Sequence, residues 1–178
     1  MKIKVVIDKK SGVCGGVKRA IKMIEKEINQ NKSKDIYVNG ELLHNRLEME
    51  RLVDCGLKVE EEVNKIKDNI LFIRTHGVSK KNIELALKNN NIVIDATCPK
   101  VSNSQKVIED YYSQGYQIII VGKKNHPEVQ GLLGYCNNKG ICITDDKDID
   151  KINIALKSLL IAQTTVSTEK FKKMIELL

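Results

Sequence analysis

Four short apolar runs, Leu71–Ile73, Ile92–Ile94, Ile118–Val121 and Leu159–Ala162, each give way to a polar turn and then to a segment with helical character. Strands alternating with helices build mostly parallel sheets through right-handed crossovers, so this repetition confines the chain to the α/β class. Further strands are expected at Ile3–Ile7, Ile36–Val38, Leu57–Val59 and Ile141–Thr144. The clearest helix carries Val17, Ala20, Ile21, Ile24 and Ile28 at i, i+3, i+4 spacing, between Gly16 and the polar stretch Asn29–Lys34. Later helices are expected at Asn45–Asp54, Lys80–Asn89, Ser102–Ser113 and Thr168–Leu178. Two similar series of strand, turn and helix meet near Ala96–Pro99, which places the boundary between two compact lobes there. Earlier helices of this kind feed back into the sheet, whereas the last one closes at Leu178 with no strand to follow, so one further lobe is expected to be missing.

Composition narrows the function classes. With 178 residues and 42% hydrophobic content, the chain can bury a sizeable core in one domain or two small ones. The apolar runs are far shorter than the ~20 residues of a spanning helix, and the start Met1-Lys-Ile-Lys lacks a signal-peptide apolar region, so a cytoplasmic protein with no membrane partner is expected. Five cysteines, none in a CxxC pair, suit a reducing compartment better than a disulfide framework. The net charge of +7 is carried by dispersed lysines, with 4% aromatics and no Trp. Without a dense basic stripe or stacking residues, a small anionic ligand is a more economical partner than nucleic acid, and a lysine-rich solvated surface accounts for much of the charge.

The chemistry-bearing residues gather at strand-to-helix turns. Cys14 lies in Gly12-Val-Cys14-Gly-Gly-Val-Lys-Arg19, where glycines admit close backbone approach and a helix starting near Val17 turns its positive end toward the sulfur. That setting favours the thiolate, the form that binds metal. Asp95-Ala-Thr-Cys98-Pro99 repeats the arrangement, with Pro99 suited to the first helical position. A structural cysteine in a tight turn explains either motif taken singly, but two at matching junctions favour a shared function. Cys55, Cys136 and Cys142 lack that setting and are expected to be small buried hydrophobes or bystanders.

All three histidines stand at turns of the same kind: His44 in Gly40-Glu-Leu-Leu-His-Asn45, His76 in Arg74-Thr-His-Gly77 and His126 in Asn125-His-Pro-Glu128. Loops at the carboxyl ends of parallel strands converge on one crevice, so these side chains are expected to meet. Zinc would suit Cys and His, yet the spacing fits no finger or ribbon, and a zinc hydrolase is disfavoured because HExxH or a comparable set is lacking. Imidazoles that hold a phosphate beside lysines and helix N-termini are the other reading. Glu128, after His126-Pro127, either holds a proton in the crevice or satisfies a helix N-terminus. The hydroxyls of Gln163-Thr164-Thr165-Val-Ser167 either bind a polar substrate group or cap the helix that follows.

In that order the segments GVCGGVKRAI, ELLHN, RTHGV, DATCPKV, HPEVQG and QTTVS resemble the successive motifs of the 4-hydroxy-3-methylbut-2-enyl diphosphate reductase family, the terminal enzyme of the non-mevalonate isoprenoid pathway. The resemblance runs from the first strand to about Ser167. It implies a three-lobed α/β fold around a 4Fe-4S cluster held by three cysteines, of which Cys14 and Cys98 match two. By the same resemblance His44, His76 and His126 hold the diphosphate, Glu128 supplies the proton and Thr164 helps orient the substrate alcohol. Residues 14–98 and 99–178 would then be two of the three lobes, and residues 1–13 a strand of the third. The implied reaction is reductive dehydroxylation to isopentenyl and dimethylallyl diphosphate, with electrons from a partner such as a ferredoxin or flavodoxin. No nicotinamide or flavin fingerprint competes with that donor, since the Gly12–Gly16 turn lacks GxGxxG spacing. The family's third cluster cysteine and the Ser/Asn part of its diphosphate site belong to the third lobe, and neither Cys136 nor Cys142 matches that motif. The alternative is a non-catalytic diphosphate- or anion-binding α/β module without a stable cluster.

Overall fold

A computed structural model describes residues 3–6 and 12–178. Helix α1 (Gly15–Gln30) leads into β1 (Ile36–Asn39), α2 (Arg46–Asp54), β2 (Leu57–Glu60), β3 (Ile70–Ile73), α3 (Lys80–Lys88) and β4 (Ile92–Asp95). The chain continues through α4 (Pro99–Ser113), β5 (Gln117–Val121), α5 (Pro127–Leu133), β6 (Ile141–Ile143), β7 (Ser158–Ala162) and α6 (Thr168–Leu177). The strands form two sheets, in the orders β2-β1-β3-β4 and β6-β5-β7, and every pairing is parallel.

Burial explains which runs became central strands. All four residues of β3 are buried, because parallel strands with helices on both faces read as continuous apolar runs. Successive side chains then serve opposite faces. Ile70 and Phe72 join the core formed with α1 and α2 around Ala20, Ile24 and Leu52, whereas Leu71 and Ile73 pack toward Ala86 of α3. The second sheet repeats the division, with Ile118 and Ile120 facing Ile108, Val129 and Leu132, and Ile119 and Val121 facing Met174. Each fully buried Ile of this kind stabilises the fold by about 1.5–3 kcal/mol. Ser79, Ser167 and Asn45 cap α3, α6 and α2 by accepting backbone N–H groups, and Pro99 and Pro127 occupy the first turns of α4 and α5.

Several boundaries differ from expectation. Helix α4 starts at Pro99, three residues before Ser102, in keeping with proline's place at a helix start. Helix α5 has no counterpart among the expected helices: Glu128, Val129, Gly131, Leu132 and Leu133 are all buried, so no polar face gives the segment a helical stripe. Residues 3–6 pair with no strand of either sheet, leaving Ile3, Val5 and Val6 exposed, while Ile7 lies outside the described residues. Among the described residues no helix is long and apolar enough to cross a membrane.

Candidate functional site

The loops after β1, β3 and β5 bring the three histidines together. The His44 and His76 rings lie 4.6 Å apart, His76 and His126 5.5 Å, and His44 and His126 5.9 Å. Two hydrogen bonds fix the loops of the first sheet against each other. The Thr75 hydroxyl donates to the Leu42 carbonyl at 2.8 Å, joining the His76 turn to the segment carrying His44, and the Cys98 amide donates to the Thr75 carbonyl at 2.9 Å. Arg19 of α1 donates to the Thr97 carbonyl at 2.7 Å, so the two cysteine turns are also tied.

Cys14 and Cys98 are the N-cap residues of α1 and α4, and neither sulfur caps its own helix. Cys14 is exposed and Cys98 half-buried. Gly16, in the first turn of α1, backs onto the second thiol so closely that a Cβ there would sit 3.0 Å from Cys98 Sγ. Both thiols thus stand free at helix starts on one side of the molecule, a donor set that fits two ligands of an iron–sulfur cluster. Cys55 is exposed at the end of α2 and Cys142 lies half-buried in β6. Cys136 is buried in a 3-10 turn after α5, its thiol donating to the Leu133 carbonyl.

His76 is held neutral. Burial, reinforced by the positive fields of His44, His126 and Arg74, pushes its pKa down to about 4, and its Nδ1 is buried with no partner among the described residues. His44 is exposed, 3.7 Å from a Glu41 carboxylate oxygen. The His126 pKa is also lowered, chiefly by burial and against the pull of Glu128. As N-cap of α5, His126 accepts the Glu128 backbone N–H at its Nδ1, 3.1 Å away. A neutral imidazole that accepts at Nδ1 carries its hydrogen on Nε2, so this ring presents a donor. The same bond bears on a metal reading of the trio, whose nitrogens lie within 4.8 Å of one another. Nε2 of His126 offers a metal no lone pair unless the capping bond is broken, whereas it can donate to an anion as it stands.

Glu128 is 2% exposed and accepts twice from Thr164, at one oxygen from the backbone N–H and at the other from the hydroxyl, both at 2.7 Å. Thr164 follows β7, so this carboxyl group joins the loops after β5 and β7. The neighbouring positions divide the alternatives read from sequence: Thr165 accepts from Gln163, and Ser167 caps α6. Sequence reading missed Thr75, Arg19 and Arg74. The Arg74 guanidinium packs over Gly40, where a Cβ would fall 2.6 Å from Nη1; the positive φ of 70° at that glycine adds a second constraint. Adjacency to His76 in the Arg74–Gly77 turn was the available signal for Arg74 and Thr75.

Such a fold and site define a class: parallel α/β proteins that assemble thiols, imidazoles and a buried carboxyl group from the loops at their strand ends. Residues 5–178 match the LytB protein family, and the chain belongs to it. It is 38% identical over 172 residues to the 4-hydroxy-3-methylbut-2-enyl diphosphate reductase of Alkaliphilus oremlandii, covering 97% of this chain and 62% of that protein. With the enzyme of the same name from Chloroherpeton thalassium it shares 42% identity over 176 residues, covering 95% and 55%. The solved E-1-hydroxy-2-methyl-but-2-enyl-4-diphosphate reductase of Plasmodium falciparum superimposes with a TM-score of 0.87 at 31% identity, covering 95% of this chain and 54% of that one. A second solved reductase, described as the terminal enzyme of the non-mevalonate pathway, gives 0.85 at 35% identity, covering 97% and 63%. The chain therefore spans between 54% and 63% of the length of these relatives.

Proposed function

We propose that this chain is the greater part of a cytoplasmic 4-hydroxy-3-methylbut-2-enyl diphosphate reductase. In this reading residues 14–98 and 99–178 are two lobes meeting at the site, and residues 1–13 belong to the sheet of a third. The observation that carries the proposal is the convergence of three imidazoles, one locked as a donor, beside a buried carboxyl group paired to a threonine. His44, His76 and His126 hold the diphosphate through N–H donors, and Glu128 delivers a proton at the reacting end. The Thr164 hydroxyl, now given to Glu128, is the group that turns to the substrate alcohol. Loss of that hydroxyl as water takes two electrons and two protons and leaves isopentenyl or dimethylallyl diphosphate. A 4Fe-4S cluster held in part by Cys14 and Cys98 would supply electrons and Lewis acidity at the hydroxyl. A ferredoxin or flavodoxin is the donor consistent with the absence of a nicotinamide fingerprint.

One observation favours a second reading, a diphosphate-binding module without a stable cluster. Among the described residues the group of three or more potential metal ligands is the histidine trio, with no cysteine in it. Anaerobic reconstitution with iron and sulfide separates the two. Broad visible absorption with reductase turnover, both lost in Cys98→Ser, supports the enzyme; a colourless protein that binds pyrophosphate supports the module. Colour and turnover that survive Cys98→Ser would sink the ligand assignment.

A further inference from the structure

The histidine trio spans two sheets, because His44 and His76 follow strands of the first and His126 follows β5 of the second. Something must therefore fix the second sheet's histidine against the other two. The contact lies on α5 and the turn after it. A Cβ at Gly131 would meet the Gly77 carbonyl group at 3.4 Å and the His76 carbonyl oxygen at 3.5 Å, ordinary contact distances. At Gly134 a Cβ would fall 2.3 Å from Ser79 Cβ and 2.7 Å from Ser79 Cα, which no packed structure allows. The His76–Ser79 loop cannot retreat easily, since Gln105 of α4 backs Gly77, its amide nitrogen 2.3 Å from where a Gly77 Cβ would be. Helices α4 and α5 are themselves packed together through Ile108, Val129 and Leu132. The loop thus occupies a slot between two helices of the second lobe.

We propose that Gly134 is a positioning residue: by letting α5 seat directly on the Ser79 backbone, it sets the spacing between His126 and His76. Gly134 has φ of −62°, which any residue adopts, so Gly134→Ala adds no backbone strain and acts by bulk alone. To restore contact distance the loop or the helix must move by on the order of 1 Å, a displacement that costs about 100-fold where reacting groups must align.

The test uses the ring protons of the three histidines, all of which lie in the cluster. In Gly134→Ala the nuclear Overhauser cross-peak between His76 and His126 falls severalfold, while that between His44 and His76, both on the first sheet, is kept. Gly131→Ala, whose Cβ finds ordinary contact, keeps both. If Gly134→Ala does not fold, Gly134→Ala with Ser79→Gly is measured in its place: it removes the 2.3 Å contact but keeps the 2.7 Å one to the Cα of residue 79, so the His76–His126 cross-peak still weakens, by less, with the His44–His76 one kept. Cross-peaks that are all unchanged, or all weakened together, overturn the proposal. This readout needs no ligand and so stands apart from the diphosphate reading. Inorganic pyrophosphate, added to the same samples, tests the two together: affinity about tenfold weaker in Gly134→Ala than in Gly131→Ala is expected where His126 donates to the anion. If pyrophosphate binds neither variant nor the parent chain while the cross-peaks behave as stated, the diphosphate reading fails and the positioning role stands.

Discussion

The two sheets equip the site in opposite ways. In the first, the ties that hold the loops run between groups outside the candidate chemistry, Thr75 to Leu42, Cys98 amide to Thr75 and Arg19 to Thr97, while among the described residues the buried His76 Nδ1 has no partner and exposed His44 has only the Glu41 carboxylate 3.7 Å away. In the second, the candidate residues hold one another: His126 caps the amide of Glu128, and Glu128 takes both donors of Thr164. The contrast teaches a division of labour. In the proposed reading, the half whose imidazoles make no mutual hydrogen bonds receives the anion, and the half whose carboxyl group is already wired moves the proton.

Four changes put that contrast to the test. The largest effect is expected from Glu128→Gln, which removes the proposed proton carrier from the wired half: turnover of the reconstituted protein falls by about 10²–10⁴-fold, while pyrophosphate affinity, assigned in the same proposal to the imidazoles, stays within a few-fold. Calorimetric titration beside steady-state turnover checks both numbers, and equal losses in the two would erase the division. Next, Phe72→Ala empties the core under the receptive half and is expected to cost about 3–5 kcal/mol by urea denaturation.

The third change is pH. His76 has a folded pKa of about 4, below its unfolded value near 6.5. Between those values the unfolded chain binds the extra proton, so stability rises with pH through this window and is lost as pH falls from about 6.5 to 4, by up to about 3 kcal/mol. Replacing His76 with Gln should flatten that slope in melting curves taken across the window; an unchanged slope would assign it to other groups. The smallest effect belongs to Thr75→Val. It removes one buried hydrogen bond worth about 1 kcal/mol and leaves the Leu42 carbonyl unpaired. Its signature is selective, since the His44–His76 cross-peak weakens and the His76–His126 one does not.

Much of this was legible in the chain. The runs Ile118–Val121 and Leu71–Ile73 announced central strands because burial on both faces demands unbroken apolar sequence, and the turn positions of the histidines announced their convergence. The rest depends on contacts that leave no local pattern. Arg19 and Thr97 are 78 positions apart and Thr75 and Leu42 33, so no spacing rule links them. Helix α5 was hidden for the opposite reason, being buried over most of its surface, with Gln130 its one exposed residue, and too short to show a period. Whether Glu128 capped a helix or served the crevice could not be decided from its neighbours in sequence, because its partner Thr164 arrives from a different strand.

The placement of the candidate groups on loops and helix starts, with none inside a strand, bears on how such a protein can change. The four residues of β3 pack into the two apolar clusters on either face of the first sheet, and the histidines and Glu128 belong to neither. Substitutions in the crevice can therefore be sampled by drift or by a designer with the scaffold intact, and the same loops can be exchanged between relatives as cassettes. Gly134 and Ser79 are the exception: they couple the two kinds of residue, and grafts that ignore that seam should fold and yet misplace a histidine.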